Sequence, residues 1–434
     1  MRVLRAYKTE LDPTCHQVEQ LLQHAGCARY AYNWGLRKKI EAYKATGKSP
    51  SAIDLHRELN ALKAKPQEEE GGVPWMYESS KCAPQEALRN LDAAYKSFFR
   101  RCKAGAKRKG FPRFKSRKNG IGSFRLTGPI RASEAHVRLP VLGELRLKER
   151  GYLPVENVKV LSATVSEQAG RWFVSLQVEQ EIADPEPKAP HVVGVDVGIK
   201  HLAVTSDGEI FDNPKVLTKA QRTLRIRQKA VSRKQKGSAN RRKAVARVAR
   251  VHRRVTNIRK DAIHKMTTSI TKSASIIVIE DLNVSGMLKN HCLARALSDA
   301  SLSEIHRQLA YKAKWYGAEL RKADRWYPSS KACSACGNVK VTLGLDERTY
   351  HCEECGSVID RDLNASLNLK MLAGSSPVSA CRPESAGSRR KTRTKLLVGQ
   401  EPRRSAEAMA DSDHFGERQG RFKALHDTND PHRI

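Results

Sequence analysis

Aromatic residues are scarce in this 434-residue chain, at 6% of the total, and it contains no run of about 18 apolar residues. The second absence excludes a transmembrane helix. The opening stretch, MRVLRAYKTELD, lacks the apolar centre of a secretory signal, so the expected location is the bacterial cytoplasm, in association with the nucleoid. Acidic residues are missing altogether from 219–260, where 17 Lys and Arg stand without one Asp or Glu. They are missing again from 100–118, beside ten basic residues. A charged face in water ordinarily mixes signs, so a face of one sign points to a partner of the other. Across the chain, 80 Lys and Arg face 46 Asp and Glu, a net charge of +34, and the partner implied by such an excess is a polyanion. A polybasic membrane-surface protein is the competing class, but no strongly amphipathic anchor supports it.

Disulfide logic is absent as well. Six of the ten cysteines (Cys15, Cys27, Cys82, Cys102, Cys292 and Cys381) are scattered without pairing. The other four form Cys333-x2-Cys336 and Cys352-x2-Cys355, fifteen residues apart. Two such pairs supply the four thiolates of a tetrahedral zinc site, and Gly337 and Gly356 allow the tight turn after each pair. With four protein ligands the ion has no open position, so the zinc expected here is structural.

Periodicity divides the chain. Residues 1–10 read as a strand. Helical spacing follows from Thr14 to about Thr46 and from Gln85 to Phe99, with Leu88, Leu91, Tyr95, Phe98 and Phe99 on one side of the second helix. Short strands fill 123–182, the clearest being a hairpin of 159–166 and 172–180. The first strand can pair with these, which makes 12–119 a helical insertion into a β-barrel. The Pro-rich polar segment 183–190, within ADPEPKAPH at 183–191, reads as a linker. Beyond it the order becomes three strands, helix, strand, helix, strand, helix, that of the RNase H architecture. Two long helices occupy 216–272. The second carries Val245, Val248, Val251, Val255, Ile258, Ala262 and Met266 as a single buried seam. Gly374 is placed as the cap of the last helix, and everything after 375 is expected to be disordered.

An acid stands at each place where that architecture gathers carboxylates: Asp196 inside VVGVDVGI, Glu280 closing SIIVIE, and Asp362 in DRDLNAS. Taken singly, Asp196 reads as a turn residue and Glu280 with Asp281 as the polar exit of a strand. Three acids on three matching elements point instead to a site. Clustered carboxylates repel one another and are tolerated when divalent cations neutralise them. Two magnesium ions about 3.5–4 Å apart would activate water and stabilise the leaving oxygen of a phosphodiester. Gly194 and Gly198 beside Asp196 are expected to leave clearance for an approaching phosphate backbone.

Six ordered stretches carry a resemblance: GVDVGIK at 194–200, SRKQKGSANRRKA at 232–244, RKDAIHK at 259–265, IVIEDLNV at 277–284, WYPSSKACSACG at 326–337 and DRDLNAS at 360–366. Together with KCAPQEALRNLDAAYKSFFR at 81–100, they resemble the TnpB proteins of bacterial insertion sequences, relatives of the compact type V CRISPR effectors. The resemblance implies a multidomain α+β protein. A wedge β-barrel (1–11 and 120–190) would hold a helical recognition domain (12–119), followed by a RuvC-like nuclease (191–330 and 359–374) interrupted by a zinc ribbon (331–358) and a tail (375–434). It implies an RNA-guided DNA endonuclease carried by a transposon, with a guide RNA from the element's end and a duplex DNA target bearing a short adjacent motif. The alternatives are a nuclease-inactive guided repressor and a transposase or accessory transposition protein. The catalytic acids map onto Asp196, Glu280 and Asp362, with Asp360 the less favoured ligand, and the zinc ligands onto the four paired cysteines. Lys81 and Gln85 align with positions that read the adjacent motif. From the basic runs, Arg108, Lys109, Arg113, Lys115, Arg233, Lys234, Lys236, Arg241, Arg242, Arg253 and Arg254 are candidate nucleic-acid contacts, with Phe111 and Phe114 placed for stacking. The default oligomeric expectation is a monomer without membrane contact.

Overall fold

The computed structural model describes residues 1–117, 120–344 and 346–374; the segment expected to be a disordered tail lies outside the described residues. The chain is multidomain α+β, and among the described residues no helix is long and apolar enough to cross a membrane.

Strand β1 (Arg2–Glu10) is followed by α1 (Cys15–Thr46), α2 (Ala52–Ala64), a 3-10 turn at Pro74–Glu78 and α3 (Cys82–Lys103). Helix α1 starts in a capping box, where Thr14 accepts from the Gln17 amide and the Gln17 side chain accepts from that of Thr14. It stops at Gly47, whose φ of 69° an L side chain rarely adopts. Helix α2 went unassigned in the periodicity. Only Leu55 and Leu59 among its apolar residues are fully buried, one turn apart, and a second capping box from Ser51 to Asp54 starts it.

Strands β2 (Ser123–Leu126), β3 (Arg131–Ala132), β4 (His136–Leu139), β5 (Gly143–Arg146), β6 (Val158–Gln168) and β7 (Arg171–Glu181) complete this half. β1 pairs antiparallel with β7 from Arg2↔Glu181 to Glu10↔Phe173, giving a sheet in the order β1-β7-β6-β2. A two-residue turn of Ala169 and Gly170, both at positive φ, joins β6 to β7. The three helices and this sheet share one continuous hydrophobic core, running from Leu21, Leu36, Leu59 and Leu88 to Phe124, Val165 and Leu176.

The expected closed barrel does not form. The four-stranded sheet reaches the three-stranded sheet β3-β4-β5 through a single bridge, Leu11↔Leu147. Among the described residues no pairing joins β2 to β3. Gly128, at φ 104°, and Pro129, which has no N–H to donate, lie between them and break the ladder.

The second half holds β8 (Val192–Asp196), β9 (His201–Thr205), β10 (Ile210–Asp212), α4 (Val216–Ser232), α5 (Ala239–Ser273), β11 (Ile276–Glu280), α6 (Val284–Met287), α7 (Ala294–Ala300), α8 (Leu302–Tyr316), β12 (Glu319–Ala323), β13 (Thr349–His351), β14 (Val358–Asp360) and α9 (Arg361–Met371). The sheet order is β10-β9-β8-β11-β12, with β8, β11 and β12 parallel and the first two junctions antiparallel. One core forms where β8, β9 and β11 meet α5 and α8, built on Val195, Ile277, Ile263, Ile270 and Leu309. A smaller cluster, Val278, Ala323 and Leu369, lies under α9.

Two expectations are corrected by packing. Of the expected α5 seam only Val255 and Met266 are buried; regular burial along the helix begins at Ile263, and in the half before it Val245 and Ile258 are exposed. That half has α4 as its helical neighbour, and the sheet core begins only later along it. The α4–α5 pair is moored by buried Asp299 on α7, which accepts from the amides of Leu217 and Thr218 and from Arg259. Gly374 is not the helix cap; α9 ends at Met371 with Leu372 still in right-handed helical conformation.

Candidate catalytic and metal centres

Asp196 ends β8 and Glu280 ends β11. The two strands are parallel with Val195 opposite Ile279, so both acids leave the same end of the sheet on adjacent strands. Asp362 lies in the first turn of α9, which packs against β8. Gly194 makes that packing possible. A Cβ there would fall 2.0 Å from the Ser366 carbonyl oxygen and 2.5 Å from the Lys370 amide nitrogen. Clearance for a phosphate was the expected role of Gly194; the space is filled by helix α9, which carries Asp362.

The electrostatics record the gathering of the acids. Burial pushes the Asp196 carboxyl up to about 8, with the negative charges of Glu280 and Asp362 adding to it and Arg361 opposing. Three of the neighbouring acids have distinct partners. Glu280 accepts a hydrogen bond from the Ser329 hydroxyl. Asp281 is drawn off to the basic side chains of β12 and beyond, 2.6 Å from Arg325 and 3.2 Å from Lys322, and their hydrogen bonds hold its carboxyl below the ordinary value. Asp360 is the N-cap of α9, accepting from the amides of Asp362 at 2.9 Å and Leu363 at 3.1 Å. Of these three, the side chain that starts α9 is thus occupied by the helix and the one after β11 by two cations.

The cysteines form a tighter group. Their four sulfurs all lie within 4.8 Å of one another, the one such metal-capable set among the described residues. Cys333 and Cys355 are 3.7 Å apart and Cys336 and Cys352 3.5 Å. A tetrahedral zinc with bonds of about 2.3 Å spaces its sulfurs about 3.8 Å apart, so the cage fits that ion. The two knuckles repeat the same geometry. Gly337 donates to the Cys333 carbonyl and Gly356 to that of Cys352, and both glycines have positive φ. Tyr350, fully buried, fills the ribbon core and donates to the Lys331 carbonyl at 2.9 Å.

The basic candidates divide. Lys81, exposed, and Gln85, half-buried, stand one turn apart where α3 begins. Arg108, Lys109, Arg113, Arg233, Lys234, Lys236, Arg242 and Arg254 are exposed. Others have internal partners: Arg241 donates to the Val231 carbonyl, Arg253 to those of Gln168 and Ala169, and Lys115 lies 4.1 Å from the Tyr32 ring centre. Phe111 packs edge-on against Tyr95 and Phe98, and both it and Phe114 are exposed.

A family model described as "Probable transposase" matches residues 163–291, and one described as a "Cas12f1-like, TNB domain" matches 303–369, which contains the four cysteines and Asp362. A third, described as a helix-turn-helix domain, matches 1–48, although those residues here form β1 and one unbroken helix. A Streptomyces pristinaespiralis protein named "Putative RNA-guided DNA endonuclease" is 40% identical over 408 residues, covering 93% of this chain and 98% of its own. The chain belongs to the TnpB family. Two further relatives with that description are InsQ of Escherichia coli K12, 32% identical over 88% of this chain and 94% of its own, and a Mycobacterium tuberculosis protein, 34% identical over 93% and 94%.

Residue-by-residue reading of this TnpB chain missed Ser329, Asn364 and Asn368. All three lie inside or beside stretches that carried the resemblance, but their types signal only polarity. Their partners are distant in sequence, and polar residues of this kind become informative only once burial is known.

Proposed function

We propose that the chain is a transposon-encoded, RNA-guided DNA endonuclease that hydrolyses a phosphodiester at Asp196, Glu280 and Asp362. The observation that carries this reading is geometric: Asp196 and Glu280 leave the same end of the sheet on adjacent parallel strands, and Asp362 stands in the first turn of α9, which packs on β8. Three carboxylates on these elements suit a hard divalent cation, whose charge would offset the burial and the repulsion that together raise the Asp196 carboxyl. Magnesium held there would supply Lewis acidity toward the phosphate and an activated water. The protein's own part is to fix the donors: the parallel register of β8 and β11 sets Asp196 and Glu280, and α9, seated on Gly194, sets Asp362. Zinc at Cys333, Cys336, Cys352 and Cys355 is structural.

The sheet order β10-β9-β8-β11-β12 supports a RuvC-like nuclease over 191–330 and 359–374, with the ribbon at 331–358. Residues 1–11 and 120–190 make the wedge, and the recognition helices of 12–119 sit directly on its sheet. Guide RNA and target duplex lie along the basic surfaces, where base pairing reads the sequence and the exposed lysines and arginines track backbone. Lys81 and Gln85 read the adjacent motif.

The test is cleavage of a randomised-flank duplex library by the protein with its co-purified RNA, in magnesium. A cut dependent on the RNA and on one flanking motif is the expected result. Tight guided binding without a cut would make the chain a repressor, and joined DNA ends would make it a transposase.

A further inference from the structure

The loop that leads into the zinc ribbon, Pro328 to Ser334, touches both proposed catalytic elements at once. Ser329, 4% exposed, donates its hydroxyl to Glu280 on β11. Its backbone carbonyl accepts from the side-chain amide of Asn368 at 2.7 Å. The same amide group also donates to the Ala332 carbonyl at 2.7 Å, as does that of Asn364. The Asn364 side-chain oxygen in turn accepts from the Ser334 amide at 2.9 Å. Asn364 and Asn368 are one helical turn apart on α9 and essentially inaccessible, and Cys333 lies between the two loop residues that Asn364 holds.

These contacts do more than solvate buried amides. Side-chain amides at i and i+4 lie on one face of a helix, so a single face of α9 grips the loop at Ser329, Ala332 and Ser334. Asn364 is two residues after Asp362, so the same turn carries the acid. The hydroxyl that orients Glu280 therefore belongs to a loop whose backbone is registered against the helix bearing Asp362, with a zinc ligand in the middle of the registered segment. Half-satisfied buried amides are costly, so the clamp favours one arrangement over neighbouring ones.

We infer that Ser329 is a positioning residue for Glu280, and that Asn364 and Asn368 make its placement follow the Cys333 knuckle. The ribbon then sets Glu280 relative to Asp362. This rests on the carboxylate reading above. It deepens that reading by giving the ribbon a role in the nuclease centre beyond folding itself.

The experiment uses the full chain with its co-purified RNA, comparing wild type, Ser329→Ala, Ser329→Thr, Asn368→Ala and Glu280→Ala. Fe2+ with ascorbate and peroxide breaks the backbone beside bound iron, so fragments ending near 196, 280 and 362 report occupancy of the carboxylate site without DNA cleavage. Zinc content and guided DNA binding are measured in parallel. Removing a residue that orients a metal ligand costs about 10–100-fold in metal affinity or activity. Ser329→Ala and Asn368→Ala should therefore need about tenfold more Fe2+ for half-maximal fragmentation and more Mg2+ for half-maximal cutting, with zinc and DNA binding unchanged. Ser329→Thr, which keeps the hydroxyl, should restore the wild-type midpoint. Wild-type midpoints in Ser329→Ala, against a clear loss in Glu280→Ala, overturn this inference alone. Absence of local fragments in the wild type overturns the carboxylate reading beneath it.

Discussion

The thiol centre and the carboxylate centre are built in opposite ways. The four sulfurs come from 23 consecutive residues, 333–355, and two repeated knuckles close them into a cage whose members all lie within 4.8 Å. The three acids come from two parallel strands and a helix, 84 and 82 residues apart along the chain, and the fold of the whole second half is needed to bring them together. Thiols can share protons, but ionised carboxylates repel, and the Asp196 carboxyl is pushed up to about 8 first by burial and then by its acidic neighbours. A locally closed cage is suited to holding an ion permanently. The proposed centre of acids, carried on separate elements, would keep room for substrate.

Removing one acid tests the second kind of site hardest. Asp196→Ala should lower guided cleavage about a thousandfold, since metal-borne charge stabilisation is worth several kcal/mol in the transition state. RNA-dependent binding of the target, measured by filter retention or gel shift, should persist. Retained cutting by the purified variant would remove Asp196 from the centre.

The thiol site should answer to chelation instead. Zinc binding contributes folding free energy outright, about 10–16 kcal/mol in small zinc-finger peptides, so Cys336→Ser or a strong chelator should unfold 331–358. Hydrogen exchange should show protection lost first at the Gly337 and Gly356 amides, which donate within the knuckles. If these amides stay protected in zinc-free protein, the ribbon is held by Tyr350 and its neighbours rather than by metal.

These two centres also show what could be read from the sequence. The cysteines were legible because all the geometry is local: spacing and two glycines state it completely. The placement of the acids was legible one level up, because an acid at the end of an apolar strand and another at a helix start match an element order. The meaning of Gly194 was not legible. Clearance for DNA and clearance for a helix look alike in a sequence, and only the Ser366 carbonyl 2.0 Å from its would-be Cβ decides between them. Strand segments in the first half were also visible, but barrel closure depends on pairing across Gly128 and Pro129, which no periodicity reports. The α5 seam failed for a related reason: apolar spacing marks a face, and whether a partner covers that face is a tertiary fact. Val245 and Ile258 therefore look like core residues and are exposed.

Gly194→Ala distinguishes the two meanings of that glycine. A methyl group forced against α9 should cost about 1–3 kcal/mol as overpacking, read as a lower unfolding midpoint, and should move Asp362 away from Asp196. Cleavage should fall while zinc content stays at one ion per chain, because the ribbon's cage does not depend on β8. Unchanged stability would mean that α9 does not approach β8 this closely.

The smallest expected effect separates two acids only two residues apart. Asp360 caps α9 through the amides of Asp362 and Leu363, whereas Asp362 is proposed as a ligand. Asn is about as good a helix cap as Asp, while Ala loses about 1 kcal/mol. Asp360→Asn should therefore leave both stability and cleavage close to wild type, and Asp360→Ala should lower stability by that amount, with guided cutting reduced only modestly. Asp362→Asn keeps the cap and removes the charge, so it should lose cleavage with little change in unfolding midpoint. If Asp360→Asn abolished cutting as Asp362→Asn does, the charge on Asp360 would belong to the metal centre, and the cap would be its second role.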